Sequence, residues 1–226
     1  MKYHVRQLEL VAVAAMLLCL PAAGAADLGA LAAQAMNYES GASEEPLRQI
    51  EQLMRESVGE PARRVQAEAV LIKMLDPAAT FEAKRFACYT LAVYGTDASL
   101  PALAALLKKE ETVGIACFAL GRMTSKQAGE CLRAALAGAT GAARVQMIVT
   151  LGQRAEAESV EALAGLARDA DLAVARAAVR ALGAVDAAAA RAALAALRRE
   201  ANPALAPDLA VASLSLADRL IAAGDR

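Results

Sequence analysis

The sequence predicts an all-α chain, built as a stack of antiparallel helical hairpins. Three observations predict it. First, alanine and leucine dominate a composition that is 58% hydrophobic but only 3% aromatic, with no tryptophan. Both residues lose little entropy in a helix, and small side chains let helices approach closely. Second, the chain repeats itself: "FACYTLAVYG" (Phe86–Gly95) returns as "IACFALGRM" (Ile115–Met123). Third, apolar positions in "ARVQMIVTLG" and "SVEALAGLA" recur at helical intervals and do not alternate.

Aligning on the leucine of "ACYTL" gives a register of Leu91, Leu120, Leu151, Leu182 and Leu214, with spacings of 29, 31, 31 and 32. Glycine follows three of them, at Gly121, Gly152 and Gly183. A second leucine follows each of the first four by 12 residues: Leu103, Leu132, Leu163 and Leu194. A constant offset with variable linkers is the pattern of a two-helix unit. Helix A carries the first leucine and helix B the second. Asp97, Ser125 and Ser159 stand where B helices would start and are expected to cap them. One such hairpin cannot bury its apolar face, so stacked neighbours form the folding unit, an α-solenoid.

This register divides the chain. Residues 27–45 read as an N-terminal linker or short helix, and residues 46–226 as the repeat domain. Within that domain, 46–76 form a capping hairpin, about 80–204 the repeats, and 207–223 a closing helix. Eleven or twelve helices in about five units are expected.

The first 26 residues read as a signal peptide. Lys2 and Arg6 precede an apolar run, Leu10–Leu20, that is too short for a comfortable membrane span. "PAAGAAD" then offers small residues for cleavage after Ala25 or Ala26. The expected product is exported, periplasmic or extracellular, or held by an N-terminal membrane anchor if cleavage does not occur. Cleavage removes Lys2, Arg6 and Glu9 from 24 basic and 25 acidic residues, leaving 22 and 24, a net charge of −2. It also removes His4, the only histidine. No later segment is apolar and long enough to span a membrane after signal cleavage. A nearly neutral chain carries no electrostatic footprint for nucleic acid.

"DASLPALAALLKKE", "ESVEALAGLARDADLAVARAAVRALG" and "AARAALAAL" together resemble the HEAT repeat family. The closer likeness is to the short bacterial HEAT-like repeats of the phycobiliprotein-lyase type. The resemblance covers roughly residues 46–222. It implies a HEAT-like superhelix and says little of function, because such scaffolds host unrelated roles. It also implies an enzyme-linked alternative, covalent attachment of a chromophore to a partner's cysteine, for which an exported chain is in the wrong compartment.

The cysteines read first as core residues. Cys88 and Cys117 lie three positions before their leucines, where other units carry Ile148, Val179 and Val211. Cys131 precedes Leu132, where other units carry Ala102, Ala162 and Ala193. Small buried hydrophobes are expected at all three. A Cys117–Cys131 disulfide across one hairpin is the alternative that an exported compartment permits.

Catalytic chemistry finds little footing. Without a mature histidine there is no Ser-His-Asp or Cys-His site and no His-containing zinc site. "GATGAA" from Gly138 joins two helices and follows no strand, so it reads as a linker and not as a phosphate loop. Glu110/Glu111, Glu156/Glu158 and Asp169/Asp171 read as solvated caps at helix N-termini. Arg176 and Arg180 read as a solvated face paired with Asp169 and Asp171. No enzyme activity, cofactor or metal is expected.

What remains is a surface. Two positions before the aligned leucines stand Tyr89, Phe118, Val149, Arg180 and Ala212. With Tyr94 and Arg122 this row would edge a groove that binds a protein partner. The competing reading packs Tyr89 and Phe118 between units. The expected function is a non-catalytic exported scaffold that binds a protein through one face of stacked helices, with self-association as a further outcome. An auxiliary subunit or lyase-like protein, assisting an enzyme or a chromophore-bearing partner, is the alternative.

Overall fold

The computed structural model describes residues 22–186 and 188–223. Among the described residues it contains twelve α-helices, four short 3-10 turns and no strand. Most of the expected leader lies outside the described residues.

Helix α1 (Ala22–Met36) begins inside the leader expected at 1–26 and runs through the segment read as a linker or short helix. Its Leu28, Leu31, Ala32 and Ala35 fall on one helical stripe and pack into the core. Helix α2 (Glu45–Glu56) buries Leu47, Ile50 and Met54, and α3 (Pro61–Lys73) buries Ala67, Val70 and Leu71. Prolines open both helices, where a missing amide hydrogen costs nothing. Helices α1, α2 and α3 pack on one another, and all three reach the next helix.

Nine helices follow. They are α4 (Phe81–Tyr94), α5 (Leu100–Leu106), α6 (Val113–Arg122), α7 (Lys126–Ala135), α8 (Gly141–Arg154), α9 (Val160–Leu166), α10 (Leu172–Leu182), α11 (Ala188–Arg199) and α12 (Ala206–Ala223). Even-numbered helices correspond to helix A of the sequence register, odd-numbered ones to helix B. The A helices pack in succession: α4 on α6, α6 on α8, α8 on α10, α10 on α12. Among the B helices, α5 packs on α7 and α9 on α11. Leu91, Leu120, Leu151 and Leu182 are fully buried, and so are Leu103, Leu132 and Leu163, with Leu194 nearly so.

The recurring glycines set how closely the A helices approach. A Cβ on Gly121 would lie 2.9 Å from Cγ2 of Thr150, and one on Gly152 would lie 2.9 Å from Cα of Ala181. One on Gly183 would lie 2.6 Å from Cα of Ala212. The succession Thr150, Ala181, Ala212 keeps a spacing of 31 to the end. The closing unit is therefore one residue out of the register drawn from the sequence. Leu214 does not replace Leu182; it stands where the approach glycine stood, and it is exposed. Val211, expected in the core, is exposed as well. Helix α12 packs chiefly on α10, α11 and the turn that leads into it. One stripe suffices for that: Leu205, Leu209, Ala212 and Leu216.

Capping follows the expectation in one of three places. The Ser125 hydroxyl accepts from the Gln127 amide at 3.2 Å and starts α7. Asp97 and Ser159 lie instead in 3-10 turns that precede α5 and α9. Thr96 caps the first of these turns, accepting from the Ala98 amide at 3.3 Å. Ser159 is fully buried, and its hydroxyl accepts from Arg133 at 3.1 Å. Thr80 and Asp171 cap α4 and α10.

Candidate functional site

The residues two before each buried leucine emerge on one side of the A helices, because that offset points away from the leucine's face. Tyr89 on α4 is 47% exposed, and its ring lies 4.2 Å from that of Phe118 on α6, tilted by 37°. The Arg122 guanidinium sits 4.7 Å from the centre of the Phe118 ring. These three form one aromatic–cation cluster. Tyr89 and Phe118 do pack between neighbouring helices, yet Tyr89 stays open to solvent. Val149 on α8 is partly exposed and continues the row.

Ala212 does not end the row. It is buried beneath Gly183, and with the corrected register its place goes to the exposed Val211. Tyr94 does not join the cluster. It is half-buried against the core at the end of α4, and its carbonyl accepts from Arg64 Nη2 at 2.7 Å.

Arg180 has a different partner from the one expected. Its Nε donates to Asp208 Oδ1 at 2.6 Å, and Arg176 Nε approaches Asp208 Oδ2 at 3.3 Å. Asp208 is almost entirely buried in the first turn of α12, so one carboxylate holds two arginines of α10. Asp169 pairs with Arg144 at 2.9 Å, and Asp171 caps α10.

Two clefts flank this row. One, of about 590 Å³, is lined by Phe81, Tyr89, Glu110, Glu111, Phe118 and Gln153 among others. The second, of about 670 Å³, shares Gln153 and runs past Val149 to Arg176, Arg180 and Arg219. A larger recess, about 800 Å³, lies at the corner of α5, α7 and the start of α8. Its walls are rich in alanine, and of the residues singled out from sequence it contains Glu110, Cys131 and the whole linker from Gly138 to Ala143.

Behind the face lies an ionic joint that the sequence reading took for a solvated cap. Arg154 is almost fully buried at the end of α8. It donates to the carbonyls of Leu120, Met123 and Ser125 at 2.5, 2.6 and 2.7 Å. It thereby satisfies backbone acceptors where α6 ends and α7 begins. Its Nε also donates to Glu156 at 2.9 Å, and Arg133 reaches the other Glu156 oxygen at 3.1 Å. Gly129 makes room for that carboxylate: a Cβ there would lie 1.9 Å from Glu156 Oε2. Glu158 is the solvated member of the pair. Its own backbone amide and the nearby Lys126 hold its carboxyl below the usual value.

Cys88, Cys117 and Cys131 are free thiols. Burial pushes Cys88 up to about 12 and Cys117 up to about 11, the latter partly offset by a hydrogen bond with Thr150. Cys117 thus meets α8, while Cys131, also raised by burial, lines the alanine-rich recess. The two thiols alternatively expected to pair have different surroundings. Thiolate chemistry at neutral pH has no support at the two buried sites.

Among the described residues no group of three or more His, Cys, Asp or Glu side chains could hold a metal ion. No described helix is long and apolar enough to cross a membrane. No protein-family model and no curated protein matches the chain.

Proposed function

We propose that this chain is an exported, HEAT-like α-solenoid that binds a protein partner through the exposed side of its A helices, without catalysis of its own. Two features support the solenoid reading: A helices that pack in sequential order, and glycines repeated at their close approaches. Such an array presents one residue per unit at intervals set by helix packing, about 8–10 Å. A row of that kind suits a long segment better than a small molecule.

The observation that carries the binding reading is the Tyr89–Phe118–Arg122 cluster. Aromatic and arginine side chains anchor interfaces because they offer large contact area at little entropic cost. Here they reach the surface beside open clefts, Tyr89 and Arg122 exposed and Phe118 half-buried, in a chain with few aromatics to spare. The test is substitution at the two rings, read in two ways. Tyr89→Ala and Phe118→Ala should each abolish or strongly weaken partner binding while lowering Tm only slightly. A large drop in Tm with binding retained would assign both rings to packing alone.

A further inference from the structure

We propose that the cleft between α8, α10 and α12 receives an acidic segment of the bound protein, its carboxylates on Arg176, Arg180 and Arg219. This rests on the binding-face reading above and gives it a partner chemistry.

Three guanidiniums and no carboxylate line this cleft of about 670 Å³. Among the described residues the one acid in contact with them, Asp208, is buried beneath, so those residues leave the cleft an excess of two positive charges. Asp208 does more than neutralise. It engages both Arg176 and Arg180 through Nε, which fixes the two planes at one end. Among the described residues the two Nη groups of Arg180 have no protein partner, and its side chain is 67% exposed. Arg219 is tethered from α12 by donating to the Ala184 carbonyl at 3.0 Å. Guanidinium forks held in this way are matched to carboxylates, which accept two parallel hydrogen bonds.

The floor points to a peptide. Val149, Gly152, Ala177 and Ala181 form a shallow apolar strip between the arginines. Small or apolar side chains between acidic ones would rest on it. A nucleic acid fits less well: no aromatic ring lines this cleft to stack a base, and the whole chain carries a net charge of −1.

The test uses fluorescence anisotropy on the full chain with three labelled probes. They are a short peptide of alternating glutamate and alanine, its lysine-for-glutamate counterpart, and a single-stranded oligothymidylate. The glutamate peptide should bind, and binding should weaken as salt rises. Arg219→Glu should weaken it about fivefold or more, Arg219→Gln by less, and Lys109→Glu, on a distant linker, not at all. Arg219 is exposed and tethered by a single bond, so both variants should fold, which a melting curve checks. Equal binding of the lysine peptide, preferred binding of the oligothymidylate, or unchanged affinity in Arg219→Glu would each overturn the proposal. If the glutamate peptide fails while partner capture still depends on Tyr89, the charge assignment falls and the binding face stands.

Discussion

Along the row from Tyr89 to Val211, the aromatic end and the basic end are held in different ways. Tyr89, Phe118 and Arg122 hold one another, with Tyr89 and Arg122 exposed and Phe118 half-buried. Arg180 and Arg176 are held by Asp208, whose carboxylate lies in the joint between α10 and the closing helix. At the first end, mutation should separate the proposed binding from stability. At the second they share residues, because the groups that line the cleft also fasten α12. Between the ends lies Gly152, where α8 closely approaches the Ala181 backbone of α10 and which also floors the basic cleft.

Breaking the middle should have the largest effect. Gly152→Val places atoms against Cα of Ala181, backbone that cannot move aside, and should cost about 3 kcal/mol by urea denaturation. Both ends should then lose their alignment together. Next comes Asp208→Ala, which leaves two arginines without their anchor. A fully buried pair would cost more, but the arginines are about half exposed, so about 2 kcal/mol is expected. Loosening of α12 should appear as faster amide exchange there, with α4 and α6 unchanged. Tyr89→Ala should cost only about 1 kcal/mol, the worth of an aromatic pair, and Phe118→Ala more because its ring is half-buried, while partner affinity falls steeply in both. That split between stability and binding should be absent in Asp208→Ala.

The smallest effect, nil at neutral pH, belongs to the buried thiols. Cys88 and Cys117 have their pKa values raised from 9.0 in the folded chain to about 12 and about 11. Below pH 9 both states keep the proton, and stability does not depend on these groups. Above it the unfolded chain ionises first, so their contribution declines as pH rises toward 11 and then 12. Urea midpoints measured against pH should fall less steeply in Cys88→Ala than in the parent chain.

The sequence made the core legible and left the ionic joints hidden, for a physical reason. Positions such as Leu91, Leu120 and Leu163 recur because an identical volume must be filled in every unit. Pairs such as Arg154 with Glu156, or Arg180 with Asp208, occur once each and follow no period. One signal was present. With the last unit spaced at 31 instead of 32, Asp208 falls on the position of the buried Ala177. A carboxylate in a buried slot announces a partner. Alignment on Leu214 placed Asp208 opposite the exposed Arg176 instead, and the pairing was missed. The same slip put Ala212 in the surface row in place of Val211. Tyr89 and Phe118 were legible because adjacent units repeat the offset. Tyr94 was not, since its helix ends there and its backbone is claimed by Arg64.

The proposed binding face can be tested most directly by site-specific photocrosslinking in intact cells. A benzoylphenylalanine at Val149 or Val211 places the reactive group on the row, and one at Glu161 or Ala195 places it on exposed positions of B helices. One reproducible partner protein should be captured from Val149 and Val211 and not from Glu161 or Ala195, and its capture should be lost in Tyr89→Ala. Capture of the same proteins from all four positions, or from the B helices alone, would contradict a partner-binding face on the A helices.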